Sequence, residues 1–201
     1  MIVVPTAALG RQAPHHARLL RGMADAVTTK GYPAVTIADI VAAAGVSKRT
    51  FYEHFTSKLD CLLACYAEAA DQLIGAVRQS AAAIPAGPAR VTAGIDAYLG
   101  ALDQTPEWTT ALLLEIDAAG TAGRTLRRRK NLEFAGLIRD LATDDQAPGA
   151  RLDLDLALAV VGGIAELVAM HVDQYPERPF RAIGPSVRRF LGTVLGTPAN
   201  A

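Results

Sequence analysis

Residues 36–58 read TIADIVAAAGVSKRTFYEHFTSK. Thr36 is placed to cap a short helix, and Asp39, three residues on, completes a capping-box-like pattern. Gly45 breaks that helix, and Ser47 caps a second one. Ile37, Ile40, Val41, Val46, Phe51 and Phe55 can make a small shared core. Two helices this short do not stand alone, because helix nucleation is costly and each buries little apolar surface. The helices before and after must clamp them. The expected unit is a helix-turn-helix, with Ser47 to Phe55 as the helix that reads DNA.

The chemistry of that second helix suits a nucleic acid. Ser47 sits at a helix N-terminus, whose amides favour a phosphate. Lys48, Arg49 and Thr50 occupy the first turn, the part that enters a major groove. An arginine there can donate two bonds to the O6 and N7 edge of guanine. Tyr52 and His54 either reach flanking phosphates or pack. Lys58, at the start of the next helix, can anchor to the DNA backbone. A solvated charged face is the plain alternative for Lys48, Arg49 and Lys58.

Working outward, apolar residues recur at three- and four-residue spacing, alanine is abundant and β-branched alternation is scarce. The pattern predicts an all-α chain. A first helix is expected from about Pro14 to Lys30, ended by Gly31. Ser57 with Asp60 repeats the cap pattern and opens a long helix carrying Leu59, Leu62, Leu63, Tyr66, Ala70, Leu73, Ile74 and Val77. IPAGPA at 84–89 is a break. Further helices are expected at about 89–103, 106–119, 124–143, 153–174 and 185–195. Pro88, Pro106 and Pro185 sit where proline is tolerated, at helix starts. The expected division is a loose arm over 1–13, a DNA-binding domain over 14–58 and a helical-bundle domain over 59–201.

The run from Gly31 to Leu63 resembles the DNA-binding domain of the TetR family of bacterial transcriptional regulators. The matching marks are Gly31-Tyr32, Thr36, Ile40, Ala44-Gly45-Val46-Ser47, Phe51-Tyr52, His54-Phe55 and Lys58. Val27 stands where members often have phenylalanine, and Arg49 where many have a small residue. The resemblance implies a cytoplasmic homodimer that sets one recognition helix per subunit into a palindromic double-stranded operator. It also implies a small-molecule effector bound in the C-terminal domain, whose arrival separates the reading heads and releases DNA. Repression is the usual outcome in the family, and activators exist. Thr36 gains from the resemblance a phosphate contact beside its capping role.

The effector region is less legible. Tyr66, Tyr98, Trp108, Leu112, Ile116, Phe134 and Ile138 are the larger side chains of the middle helices, and they suit a hydrophobic ligand as well as a core. Glu115 interrupts the apolar run and either fixes a polar ligand group or faces solvent. Leu156, Val160, Gly163, Ile164, Leu167 and Val168, with Val187, Phe190, Leu191 and Val194 of the last helix, are expected to form a two-fold four-helix dimer seam.

Other readings are weaker. Arg11 in the arm can enter a minor groove or do nothing. Cys61 and Cys65, four apart on one helix, lack a zinc spacing and are expected to be small buried hydrophobes. The run RTLRRRK at 124–130 is expected to be a solvated face paired with carboxylates, with an anion-attracting patch as the alternative. No nucleophile with an adjacent base, paired carboxylates, phosphate loop or H-E-x-x-H occurs, so an enzyme is not expected, nor a cofactor or metal. A protein that keeps the helix-turn-helix only as an interaction scaffold is the third reading, and Lys48 with Arg49 argues against it. The opening residues lack a basic n-region, so no secretory signal is read. The apolar stretch Leu156–Ala165 is about half of what a membrane span needs.

Composition agrees once it is divided. The 201 residues carry 20 basic and 20 acidic side chains, and 51% are hydrophobic. That excludes a disordered chain. Neutrality would argue against a nucleic-acid partner if it were uniform. Residues 1–58 hold seven basic against three acidic residues, and the remainder holds 13 against 17. A basic reading module is joined to an acidic, apolar-rich body.

Overall fold

A computed structural model describes residues 14–143 and 152–195. The expected arm at 1–13, with Arg11, lies outside the described residues. Among those residues the elements are helices: α1 (His15–Lys30), α2 (Ile37–Ala44), α3 (Lys48–His54), α4 (Lys58–Ala81), α5 (Pro88–Leu102), α6 (Pro106–Glu115), α7 (Gly120–Ala142), α8 (Leu154–Gln174) and α9 (Gly184–Val194), with short 3-10 turns at Tyr32–Ala34, Asp117–Ala119 and Phe180–Ile183. The chain is all-α, as the periodicity predicts. Element starts and ends fall within a few residues of expectation. The largest differences are α7, which opens at Gly120, and α6, which stops at Glu115 before a separate 3-10 turn.

Two compact units result. The first comprises residues 1–72 and 105–128, the second 73–104 and 129–201. The reading unit is therefore larger than 14–58 and discontinuous in sequence: α6 joins it from 83 residues away through two polar ties. Trp108 Nε1 donates to Asp25 Oδ1 at 2.8 Å, and the Tyr32 amide donates to Glu115 Oε2 at 3.0 Å.

In the first unit, Leu19 and Met23 of α1, Ile40 of α2, Phe51 of α3, Leu62 of α4 and Ile116 after α6 are fully buried in one core. Burial of this kind is the main force holding the short α2 and α3 in place. Cys61 and Cys65 belong to the same core, and their thiols point at the carbonyl oxygens of Leu19 and Leu20. Burial pushes both thiols up, Cys65 to about 12. The thiolate is the reactive form, so native protein at neutral pH should show no fast-reacting thiol with Ellman's reagent, and both should titrate after unfolding. A stoichiometric fast reaction of the folded chain would contradict the burial described.

In the second unit, the Gly87 amide donates to the Leu141 carbonyl at 3.0 Å, which ties the start of α5 to the end of α7. Arg181 and Arg188 pair with Asp103 and Asp96, at 2.7 and 2.5 Å, and hold the 3-10 turn and α9 on α5. The expected dimer seam divides here. Val160, Ile164, Val168, Val187 and Leu191 are buried inside the unit, whereas Leu156 and Phe190 are exposed and Gly163, Leu167 and Val194 are half-buried. Gly163 has the Phe190 ring 3.5 Å from where a Cβ would stand, an ordinary van der Waals distance, so packing within the unit does not demand glycine there.

α8 also corrects the estimate made from Leu156–Ala165 alone. The whole helix is 21 residues, and its most apolar 18 have a mean hydropathy of 1.7, long and apolar enough by length and composition to cross a membrane. Its inner face does the work of a core helix. His171, near its end, is buried and donates from Nε2 to the Arg178 carbonyl at 2.9 Å.

Candidate nucleic-acid interface

α2 begins at the expected box. Thr36 Oγ1 accepts from the Asp39 amide, and Asp39 Oδ2 accepts from the Thr36 amide at 2.9 Å. Lys30 Nζ adds an ion pair to Asp39 at 2.6 Å. The Lys30 ammonium, followed by the Thr36 hydroxyl and amide, lowers the Asp39 carboxyl to about 2. Gly45 then turns the chain in the left-handed region, φ 62° and ψ 39°, where a side chain would be strained. Arg18 of α1 seals the turn by donating from Nε to the Ala44 carbonyl at 2.9 Å and from Nη2 to the Gly45 carbonyl. Sequence reasoning missed Arg18.

α3 starts at Ser47, whose Oγ accepts from the Thr50 amide at 3.0 Å. The Lys48 and Arg49 amides of the first turn have no acceptor within the helix, by helix geometry. Phe51 and the following Phe55 face inward and fix the rotation of the helix. Ser47, Lys48, Arg49, Tyr52 and His54 are all exposed and Thr50 is half-buried. Arg49 is wide open, its side chain 89% accessible, and it rests on Glu53 at 3.2 Å. An exposed i,i+4 pair of this kind is worth only about 0.3–0.5 kcal/mol, so it holds the guanidinium loosely. His54 stands beside the histidines that open α1, its ring centroid 6.4 Å from His15 and 5.9 Å from His16. It therefore has protein neighbours on one side and solvent on the other.

Lys58, expected to anchor to the DNA backbone, has acceptors within the protein. Its ammonium donates to the carbonyls of Tyr32, Pro33 and Val35 at 3.2, 3.2 and 2.8 Å and lies 4.7 Å from the Tyr32 ring centroid. It caps the 3-10 turn that delivers the chain into Thr36. Glu115 has a partner within the protein. Its carboxylate holds the other side of that turn, against the Tyr32 amide and beside Gly31, which has φ 71°.

The residues considered for an effector pocket divide between the two units. Tyr66, Trp108, Leu112, Glu115 and Ile116 lie in the first unit; Tyr98, Phe134 and Ile138 lie in the second. Ile116 is fully buried core, and burial raises the Tyr66 hydroxyl to about 12. Tyr98 and Phe134 meet edge to face at 5.9 Å, and Ile138 is buried. The basic run on α7 is paired in part, Arg127 with Asp117 at 3.2 Å, and Arg129 and Lys130 with Glu133 at 3.8 and 2.8 Å, while Lys130 is buried and does not lie on the solvated face expected of it.

Residues 20–65, from α1 through the first turns of α4, match the family described as bacterial regulatory proteins, tetR family. The DNA-binding region of this chain is that of the TetR family. A curated relative, the HTH-type transcriptional activator FasR of Mycolicibacterium smegmatis, is 33% identical over 92 residues. That match covers 44% of this chain and 42% of FasR, so the chain aligns with less than half the length of this relative. Among solved structures, the fatty acid degradation regulator FadR of Bacillus halodurans superposes with a TM-score of 0.79 at 17% identity, over 96% of this chain and 100% of that one. FadR of Bacillus subtilis, solved in complex with stearoyl-CoA, gives 0.72 at 18% identity, over 87% and 96%. At such identities the likeness establishes a TetR-like fold and nothing finer.

Proposed function

We propose that this TetR-family chain is a ligand-responsive transcriptional regulator of the cytoplasm. It binds a palindromic operator as a homodimer and is released by a small effector with a hydrophobic body. The observation that carries the reading is the outer face of α3. Ser47, Lys48, Arg49, Tyr52 and His54 are exposed together on a helix whose opposite face is locked by Phe51 and Phe55. Thr36 and Thr50 flank that face. The basic balance of residues 1–58 supports it, since phosphate neutralisation supplies most non-specific affinity. The apolar side chains left exposed on α8 and α9, Leu154, Leu156, Met170 and Phe190, support a self-association surface. The stearoyl-CoA complex of the FadR neighbour supports a hydrophobic effector. Activation rather than repression is a second reading, favoured by the activator role in the FasR name.

A gel-shift titration against the promoter of an adjacent gene tests the proposal. Binding should be specific for an inverted repeat, and log affinity should fall linearly with log salt. Equal affinity for scrambled DNA at every salt concentration would remove the regulator reading. Arg49→Ala refines it. A base-reading Arg49 predicts a loss of about 1–3 kcal/mol confined to one operator position. A loss spread evenly over operator variants makes Arg49 a phosphate contact instead.

A further inference from the structure

The first unit contains a cavity of about 130 Å³ lined by α1, α4 and α6. Leu20, Trp108 and Leu112 supply apolar wall. A cavity of about this size takes a benzene-sized body. Two polar side chains interrupt the wall, Arg21 of α1 and Gln72 of α4. Each keeps one buried atom, Arg21 Nη2 and Gln72 Oε1, without a hydrogen-bond partner among the described residues. Buried polar groups are ordinarily paired, so two orphans on one cavity wall need a cause.

The orientation of Gln72 follows from its neighbour. Its Nε2 donates to Glu68 Oε1 at 3.0 Å. The flipped amide would set oxygen against carboxylate, so Oε1 remains the free acceptor. The cavity wall thus offers one cationic donor and one neutral acceptor in apolar surroundings.

We propose that this cavity is a binding site for a small neutral molecule with a ring-sized apolar body and a primary carboxamide. The carboxamide oxygen accepts from Arg21 Nη2, and its N–H donates to Gln72 Oε1. A carboxylate satisfies only Arg21 and sets a second negative oxygen against Gln72 Oε1, with Glu68 on the same wall. A hydrocarbon fills the space and leaves both atoms orphaned. An occupant here acts on the reading heads directly. α1 carries the wall, seals the α2 turn through Arg18, and is tied to α6 by the Trp108–Asp25 bond. That effector role rests on the regulator reading; the binding site itself does not.

Trp108 is the single tryptophan of the chain, so its emission reports occupancy of the full-length protein. Benzamide should change it saturably with a half-point of ~1 mM or below, a range open to so small a ligand. Toluene, which makes neither bond, should bind at least about tenfold more weakly, and benzoate, which loses the Gln72 bond and sets a charged oxygen against Gln72 Oε1, about tenfold more weakly. Arg21→Met and Gln72→Leu should each erase the preference for benzamide over toluene, with circular dichroism confirming that the variants fold. The three-ligand series on the unaltered chain stands whether or not they do. A linear, non-saturating response to benzamide, or benzoate or toluene matching it, overturns the proposal. The gel shift without ligand is read separately. Its failure removes the regulator reading alone, whereas saturable benzamide binding that leaves operator affinity unchanged removes the effector role.

Discussion

Phe51→Ala should lower the stability of the first unit by about 3–5 kcal/mol and abolish operator binding, although the side chain never meets DNA. Phe51 is fully buried. Its ring meets Phe55 at 5.8 Å and Tyr52 at 5.5 Å. Truncation removes the transfer free energy of the ring and leaves a cavity that short, pinned helices cannot close, which sets that range. α3 has only seven residues, too few to persist by helix propensity once its anchor is gone. Thermal unfolding followed by Trp108 emission, which reports the first unit, should show the loss. At about 4–8 °C per kcal/mol for a unit of this size, the midpoint should fall by roughly 12 °C or more. Lys48→Ala is the contrasting change. It removes an exposed charge, so it should leave the midpoint in place and reduce the salt slope of DNA binding by about one. A Phe51→Ala midpoint within two or three degrees of the parent would show that α3 is held by something other than this core.

The difference between these two residues marks what the sequence could disclose. The elements of the helix-turn-helix were readable because their signals are local. Thr36 with Asp39, Gly45, and Ser47 before an apolar pair each act within four residues, and each stands in the structure where its pattern puts it. The all-α class was readable because a 3.6-residue period survives any tertiary arrangement. The ties that make the first unit discontinuous were not readable. Glu115 holding the Tyr32 amide and Trp108 holding Asp25 each join residues 83 positions apart. Periodicity shows which face of α6 is apolar and carries nothing on which helix that face meets. For the same reason nothing near Glu115 or Lys58 in sequence points to the Tyr32–Ala34 turn, which both hold in the structure. The ten residues read as a dimer seam divide more instructively. A helix apolar on more than one face needs two partners, and sequence does not say which face meets the chain's own core. The structure assigns Val160, Ile164 and Val168 to that core and leaves Leu154, Leu156 and Met170 for whatever covers the outside.

Gly22→Ala carries the other large expected effect, and its sign is the test. Within a helix this exchange ordinarily stabilises by about 1 kcal/mol, because glycine loses more backbone entropy on folding. At Gly22 the added methyl would stand 2.6 Å from the Ile40 carbonyl oxygen, 2.9 Å from the Ala44 amide nitrogen and 3.0 Å from the Ala44 Cβ. Two of those atoms are backbone of α2, so no rotamer change relieves them and α2 itself must move away from α1. Overpacking of this kind costs ~1–3 kcal/mol or more, enough to outweigh the helix-propensity gain. The displacement also reaches DNA binding, because Arg18 bonds the Ala44 and Gly45 carbonyls at the end of the same helix, just ahead of Ser47. Shifting α2 breaks that seal and re-aims α3. The variant should therefore unfold at lower temperature and lose at least tenfold in operator affinity. Gly75→Ala is the matched control. Gly75 lies inside α4 with nothing within 4 Å of its would-be Cβ, so the same substitution there should stabilise by up to ~1 kcal/mol. Opposite signs at the two glycines would locate the effect in the α1–α2 contact. Stabilisation at both would mean that α1 and α2 do not approach as closely as described, and that the helix-turn-helix is clamped from the α4 side alone.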